Sequence, residues 1–316
     1  MNLDCPLPYG ESELIQLGHG AGGRLTAELL DALVLPAIGG QPDGRLEDAA
    51  LLPGDAELVV STDSFVVSPL AFLGGDIGSL AVHGTVNDLA MRGALPLALT
   101  LAVIAEEGLP LAELRAVLAS AGKAAHQAGV PVITGDTKVV GRGAADRLFL
   151  NTTGIGRRIP GLTPSAAGAR PGDVLLLSGP IGLHGTAVLS TREGLGFETD
   201  IASDTRPLHR LVQALAPFGS GIRSLRDPTR GGLAASLNEI AGASGVGVEI
   251  EESAVPVPRA VAAACDLLGR AYPEGAEAVP IGHCTAGPSG RVVLRTLIGA
   301  RRVVDMPLGE QLPCIC

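Results

Sequence analysis

Apolar residues along the chain follow two rhythms, and the changes between them outline the fold. Leucines and alanines recur at three and four from Leu111 to Ala128, and Gly129 follows as a stop, which predicts an amphipathic helix. Helical spacing also predicts helices over Leu25 to Leu35, Asp76 to Met91, Leu208 to Leu215, Leu233 to Ala241 and Ala260 to Leu268. Short apolar runs predict strands over Leu58 to Asp63, Pro96 to Ala105, Val130 to Asp136, Leu148 to Ile155, Asp173 to Ser178 and Val246 to Ile250. Gly290 to Thr296 and Arg301 to Asp305 predict a terminal hairpin. Gly179 to Gly185 reads as a loop, which makes His184 a loop residue. Gly161 to Arg170 mixes Pro, Gly, Ser and Ala without a period and reads as a linker. Each half therefore runs strand, helix, strand, with an acid-bearing glycine turn. The pattern predicts two α/β or α+β domains, residues 1–160 and 171–305, and an aperiodic flexible tail, 306–316.

Composition narrows the class. The 316 residues suffice for two domains with substantial cores. A formal net charge of −10 disfavours nucleic acid as a partner. The longest apolar stretch, Gly93 to Ala105, contains Pro96 and falls short of the ~20 residues a membrane span needs. No basic segment followed by an apolar one marks a signal peptide, so a cytoplasmic location is expected. Five cysteines, odd in number and irregularly spaced, do not make a disulfide framework. Two of them, Cys314 and Cys316, fall in the last three residues.

Four acids sit beside strand ends or glycine turns in the first half: Asp48, Asp63, Asp88 and Asp136. Carboxylates gathered from separate elements hold Mg²⁺ and, through it, nucleotide phosphates; each acid alone also suits a turn or cap. Gly18 to Arg24 offers backbone N–H groups to phosphate oxygens, but it is neither a Walker loop nor a Rossmann fingerprint. Lys138 follows Gly135-Asp136-Thr137, where a lysine balances phosphate charge, exchanges a proton or simply faces solvent. Asp227-Pro228-Thr229-Arg230-Gly231-Gly232 leads into a helix whose N-terminus suits an anion or a plain cap. A cysteine as last residue exposes its sulfur and can accept a transferred group, although a terminal Cys-x-Cys also binds metal or oxidises.

Together these segments resemble the HypE family of hydrogenase maturation proteins, carbamoyl dehydratases of the PurM-like ATP-binding superfamily. The resemblance rests on GHGAGGRLTAELL, EDAALLP, STDSFVVSPLAFLGGDIGSLAVHGTVNDLAMRGALPL, TGDTKVV, DTRPLHRLV, RDPTRGGLAASLNEIA, SGVGVEIEE and VVDMPLGEQLPCIC. It implies a two-domain PurM-like fold whose N-terminal domains form a homodimer through a β-barrel-type interface. It implies that Asp48, Asp63, Asp88 and Asp136 serve Mg²⁺ and ATP, with Asn87 and Thr137 in the same matched runs. Asp227 and Thr229 then face the nucleotide from the second domain. Cys316 would carry a carbamoyl group supplied by HypF, Lys138 would handle a proton, and ATP would drive dehydration to a thiocyanate. The cyano group would pass to the HypC–HypD complex, for the iron of [NiFe] hydrogenase.

Two departures qualify this expectation. The family tail normally reads Pro-Arg-Ile-Cys, and Cys314 stands here where the arginine belongs. After Leu268 the family continues into a segment with Asn-Glu-Gly-Lys, a strand and a helix; here Gly269-Arg270-Ala271-Tyr272 runs straight into Pro273. A glutamate associated with proton transfer is lost with that segment, so lower stability and impaired dehydration are expected. The alternatives are a non-catalytic scaffold that still binds maturation partners, or another PurM-like ATP user such as a selenophosphate synthetase.

Overall fold

The computed structural model describes residues 24–29, 50–52, 57–193, 201–258, 261, 279–287 and 289–307. The first half contributes α1 (Arg24–Leu29), β1 (Ala50–Leu52), β2 (Leu58–Phe65), β3 (Ala71–Phe72), β4 (Gly75–Asp76), α2 (Ile77–Met91), β5 (Ala94–Glu106), α3 (Leu111–Ala128), β6 (Val132–Val140) and β7 (Leu148–Arg158). The second contributes β8 (Val174–Leu177), α4 (Leu183–Glu193), α5 (His209–Ala214), α6 (Gly232–Ser244), β9 (Gly247–Glu251), β10 (Val279–Thr285), β11 (Val292–Arg295) and β12 (Arg301–Val304). Among the described residues, no helix is long and apolar enough to cross a membrane.

The first sheet has five strands in the order β1-β2-β7-β5-β6. β7 alternates buried and half-buried residues from Leu148 to Gly156, so one face of the sheet is covered. The cover is α2, which buries 12 of its 15 residues. Such a helix needs a firm start. Asp76 accepts from the Ser79 amide at 2.8 Å, and the Ser79 hydroxyl accepts from the Asp76 amide at 3.0 Å, a reciprocal cap. Val82 and Val86 of α2 pack on Ala121, Ala124, Ala125 and Ala128 of α3, where alanines let the helices approach closely.

The second sheet also has five strands, in the order β12-β11-β9-β10-β8. Leu237, Ile240 and Ala241 of α6 close its core against Val248, Ile250, Ile281 and Val292. The two halves interlock through α4: Val188 enters the first core with Phe65, Phe72 and Leu148. Arg192 seals the joint, donating from Nε at 2.9 Å and Nη2 at 2.7 Å to the Ser68 carbonyl.

Several expectations change. The Gly179–Gly185 loop gives way at Leu183 to α4, which places His184 in a first helical turn. That helix is sparse in apolar residues and contains Gly185, so its period is faint in the sequence. β2 and β6 run past Asp63 and Asp136, to Phe65 and Val140, so both acids lie within strands rather than at their ends. β10 was not foreseen, because a shift in register between Pro280 and Gly282 breaks the two-residue period. Of Leu25 to Leu35 only the part to Leu29 is described, and it is helical. Asp48, Cys314, Cys316, the Gly18–Gly23 loop and residues 262–278 lie outside the described residues.

Candidate active site

Ladder register fixes which side chains share a face. Asp63 stands opposite Thr152, which stands opposite Leu101, all on the α2 side of the sheet. Thr152 is pinned there: its hydroxyl donates to the Ala81 carbonyl of α2 at 3.1 Å and lies 2.5 Å from the Thr85 hydroxyl. Asp88, on α2, accepts from the Ser61 hydroxyl of β2 at 2.6 Å. Asp63 and Asp88 are thereby held on adjoining elements at one side of the sheet. Gly84 makes room for the former: a Cβ there would lie 2.8 Å from the Phe65 ring and 3.5 Å from an Asp63 carboxylate oxygen.

Burial raises the Asp63 carboxyl above the usual carboxylate range; the positive charge of Arg230 and the Ser64 amide oppose this. Arg230 belongs to the loop that begins at Asp227, so charge from the second domain acts on Asp63. That loop is built on Thr229, whose amide donates to the Asp227 carbonyl at 2.9 Å and whose carbonyl accepts from Gly232 at 2.9 Å. Arg226 anchors it through Glu239 at 2.5 Å. Gly231 caps α6 with φ +76° and without a side-chain bond, and the first amide of the helix, Gly232, is taken by the Thr229 carbonyl of the loop.

Asn87 has a different environment. Its amide donates to the Arg206 carbonyl at 3.0 Å and accepts from the Leu208 amide at 2.7 Å. Residues 203–208 thus form a strap across α2. Thr205 of that strap meets His83 at 3.1 Å, and Ser203 meets His184 at 2.8 Å. The strap, His83, His184, Ser61, Arg206 and Arg230 were not singled out as site residues from sequence. Arg206 and Arg230 lay in segments that carried the resemblance; near Arg230 it was Asp227 and Thr229 that drew attention instead.

Asp136 and Lys138 lie on the other face. Asp136 aligns with Ala102, Asn151 and Ser64, opposite to Asp63's side. Their 3.2 Å ion pair is exposed, and Lys138 holds the Asp136 carboxyl below its ordinary range. Thr137 lies between them and points to the α2 side by alternation. One chain therefore joins Asp63, Asp88 and the Asp227 loop, and keeps Asp136 and Lys138 apart from them. Among the described residues, no group of three or more His, Cys, Asp or Glu is arranged to hold a metal ion. The donor types present suit Mg²⁺, and a buried carboxylate with a raised pKa is a group that a cation would return to its charged form.

His83 makes stability depend on pH. Burial lowers its pKa from 6.5 to about 4, with Asp76 acting the other way. The unfolded chain takes up a proton near pH 6.5 while the folded one refuses it until about 4, so stability is lost as pH falls through that window. The loss is expected to approach roughly 3 kcal/mol. Melting curves of the wild type and His83→Asn between pH 7 and 4.5 check it: the variant should lose much of the slope.

The backbone links the site to the tail. The Arg24 amide, where the Gly18–Arg24 loop enters α1, donates to the Pro307 carbonyl at 2.8 Å. The tail therefore begins beside the start of α1, and nine residues beyond Pro307 span at most about 30 Å when extended.

Comparison with known proteins agrees with this geometry. The profile of the AIR synthase related protein N-terminal domain matches residues 46–158, and that of its C-terminal domain matches 170–280. The carbamoyl dehydratase HypE of Cupriavidus necator is 47% identical over 336 residues, covering 97% of this chain and 96% of the relative. A crystal structure of the hydrogenase maturation protein HypE in complex with ATP superposes with a TM-score of 0.78 at 43% identity, covering 96% of this chain and 100% of that one. A HypE–HypF complex superposes with a TM-score of 0.82 at 43% identity, covering 88% and 99%. The chain belongs to the HypE family of carbamoyl dehydratases, built from the two AIR synthase related domains.

Proposed function

We propose that this chain is an ATP-dependent dehydratase that turns an S-carboxamide on its own Cys316 into a thiocyanate, the source of a cyanide ligand for [NiFe] hydrogenase iron. The observation that carries the reading is the placement of Asp63 and Asp88 on one side of the sheet, with the charge of Arg230 from the second domain acting on Asp63. Acids and a guanidinium converging on one side of a sheet suit the phosphates of ATP, and a relative in complex with ATP supports it. The carboxamide oxygen attacks the γ-phosphorus and ADP leaves. Phosphate then departs with that oxygen as the nitrogen gives up its protons, leaving the nitrile carbon on sulfur. An amide oxygen is a poor leaving group, and phosphorylation makes it a good one.

Asp63 and Asp88, with Asp48, are the residues that would hold Mg²⁺, which neutralises charge on the transferred phosphoryl group. Asp227 and Thr229 face the nucleotide from the second domain, and the Asn87 amide orders the strap beside it. The uncovered sheet face supports a homodimer of barrel type: Ile104 of β5 is 38% exposed there beside Asp136 and Lys138, and the edge strand β6 is exposed from Val132 to Val139. A second copy on that face is the route by which Asp136 and Lys138 join a site, Lys138 as base for the amide protons. The domains are 1–160 and 171–305, and 306–316 is the tail that carries Cys316 between partners in the cytoplasm. HypF supplies the carbamoyl group, supported by a relative's complex with HypF. A HypC–HypD complex takes the cyano group.

A scaffold without catalysis is the second reading. One observation favours it: the alignment to the Cupriavidus relative runs over 336 residues, longer than this 316-residue chain, so residues present in the relative are missing here. Mass spectrometry of the C-terminal peptide decides. Supplied with HypF, a carbamoyl donor and ATP, Cys316 should gain a carbamoyl group and then lose one water, in the wild type and in Cys314→Arg. An adduct that binds ATP yet never loses water makes the chain a scaffold, and no adduct on Cys316 in either chain sinks the dehydratase reading.

A further inference from the structure

A cavity of about 450 Å³ lies at the end of the first sheet, away from the acids. It sits where β7 runs out. Arg157 stands opposite Leu58 of β2 and Leu95 of β5, and Arg158 stands opposite Ala94. Asp63 is five residues further along β2 than Leu58, or about 17 Å at the rise of a strand. Neighbours on a strand point to opposite faces, yet Arg157 and Arg158 both line this cavity, because it wraps the strand end. Thr163 and Gly161 of the linker complete the wall, with Gly161 at φ +80° where the chain turns. Backbone bonds fix the frame: the Arg158 amide donates to the Glu57 carbonyl at 2.9 Å, and the Ile159 amide to the Gly93 carbonyl at 2.8 Å.

We propose that this cavity binds a small organic anion, a carboxylate or phosphate group on an apolar body. Its charge points that way. The Arg158 side chain is 9% exposed, and its Nε lies 3.1 Å from a Glu57 carboxylate oxygen, so that pair is neutral. Arg157 is exposed, and among the described residues its guanidinium has no ion pair or hydrogen bond. The lining therefore keeps a surplus of one positive charge, in a chain whose net charge is −10. A planar guanidinium matches a carboxylate or phosphate through two parallel N–H bonds. The Thr163 hydroxyl offers a further donor.

The rest of the wall is apolar. Leu95 and Ile159 line the cavity, and both pack on the cluster of Ala90, Met91 and Leu162 behind it. A purely polar ligand would leave this wall against water, and a purely apolar one would cover Arg157 without pairing it. A concave, largely apolar wall with a few convergent polar groups is the usual seat of a small molecule. The position also has a consequence for the domain junction. A ligand here touches β7 and the linker together. The linker in turn meets the second domain, where a Cβ at Gly219 would stand 3.5 Å from the Gly161 carbonyl oxygen. A bound anion thus ties the joint between the domains to the end of the first sheet.

The test is isothermal titration of the full chain, with the nucleotide site filled by saturating ADP. The probes are phenyl phosphate, benzoate, benzyl alcohol and inorganic phosphate. In the wild type at least one of the two aromatic anions should bind saturably, with a Kd below about 1 mM. The better of the two tells phosphate from carboxylate as the preferred group. Benzyl alcohol, which lacks the charge, and inorganic phosphate, which lacks the apolar body, should each bind about 10-fold more weakly or worse. Arg157→Gln should weaken the aromatic anion by about 10- to 100-fold, the range of a charge-assisted pair, while Arg157→Lys keeps part of the affinity. Arg157 is exposed, so both variants should melt like the wild type. The proposal is overturned if neither aromatic anion saturates, or if the affinity survives in Arg157→Gln. It is also overturned if binding appears only when ADP is left out, which would put the probe in the nucleotide site.

Discussion

Asp88→Asn should lower ATP turnover by about 1,000-fold or more while the protein still folds. The substitution is nearly isosteric. The Ser61 hydroxyl, 2.6 Å from the carboxylate, donates equally well to an amide oxygen, so the link between β2 and α2 survives. What disappears is the negative charge. Hard cations bind carboxylate oxygens far better than amide oxygens, and without the cation the phosphoryl transition state keeps its own charge uncompensated. Steady-state ATP hydrolysis beside a thermal melt checks the prediction. Turnover within tenfold of the wild type, with an unchanged melt, would remove Asp88 from the phosphate site. Ser61→Ala is a useful companion: it keeps the charge and loses only its orientation, so a much smaller drop is expected.

The sequence carried the long periodic elements well. α3 follows from its helical rhythm, and the covered strands β5 and β7 from their apolar runs. α2 was also legible, although it is buried on most sides and keeps little amphipathic contrast; its cap at Asp76 and the glycines before it supplied the boundary. α4 and β10 were not legible. Their apolar positions are interrupted by Gly185 and by the Pro280–Gly282 irregularity, and tertiary contacts decide their conformation. The candidate acids were found as residue types, but their sidedness was not. Reading Asp63 and Asp136 as strand-end residues hid that alternation puts them on opposite faces, which appears only once partners across the ladder are known. Asn87 teaches the same lesson. Its place beside Asp88 suggested a nucleotide contact, whereas its amide is occupied by a strap more than a hundred residues away in sequence.

Gly78→Val should destabilise the protein by about 3 kcal/mol or more, the largest loss expected from one small side chain. Gly78 opens α2 where that helix crosses α3, and a Cβ at this position would sit 2.2 Å from the Val117 carbonyl oxygen and 3.1 Å from the Ala121 amide nitrogen. Those are backbone atoms, held by the hydrogen bonds of α3, and they cannot rotate away as a side chain would. The helices must part by an ångström or more, which loosens the packing of Val82 and Val86 on the α3 alanines. The consequence reaches the site, because the same helix carries Gly84, Asn87 and Asp88. Chemical denaturation should register a lower midpoint, and residual activity at low temperature should fall beyond what the folded fraction accounts for. Gly122→Ala provides the control: it is a helical glycine on α3 with nothing within 4 Å of the added Cβ, and it should leave stability unchanged or raise it by up to about 1 kcal/mol. If Gly78→Val melted like the wild type, α2 and α3 would not meet backbone to backbone, and the acids on α2 would lack the rigid support that their pairing with β2 requires.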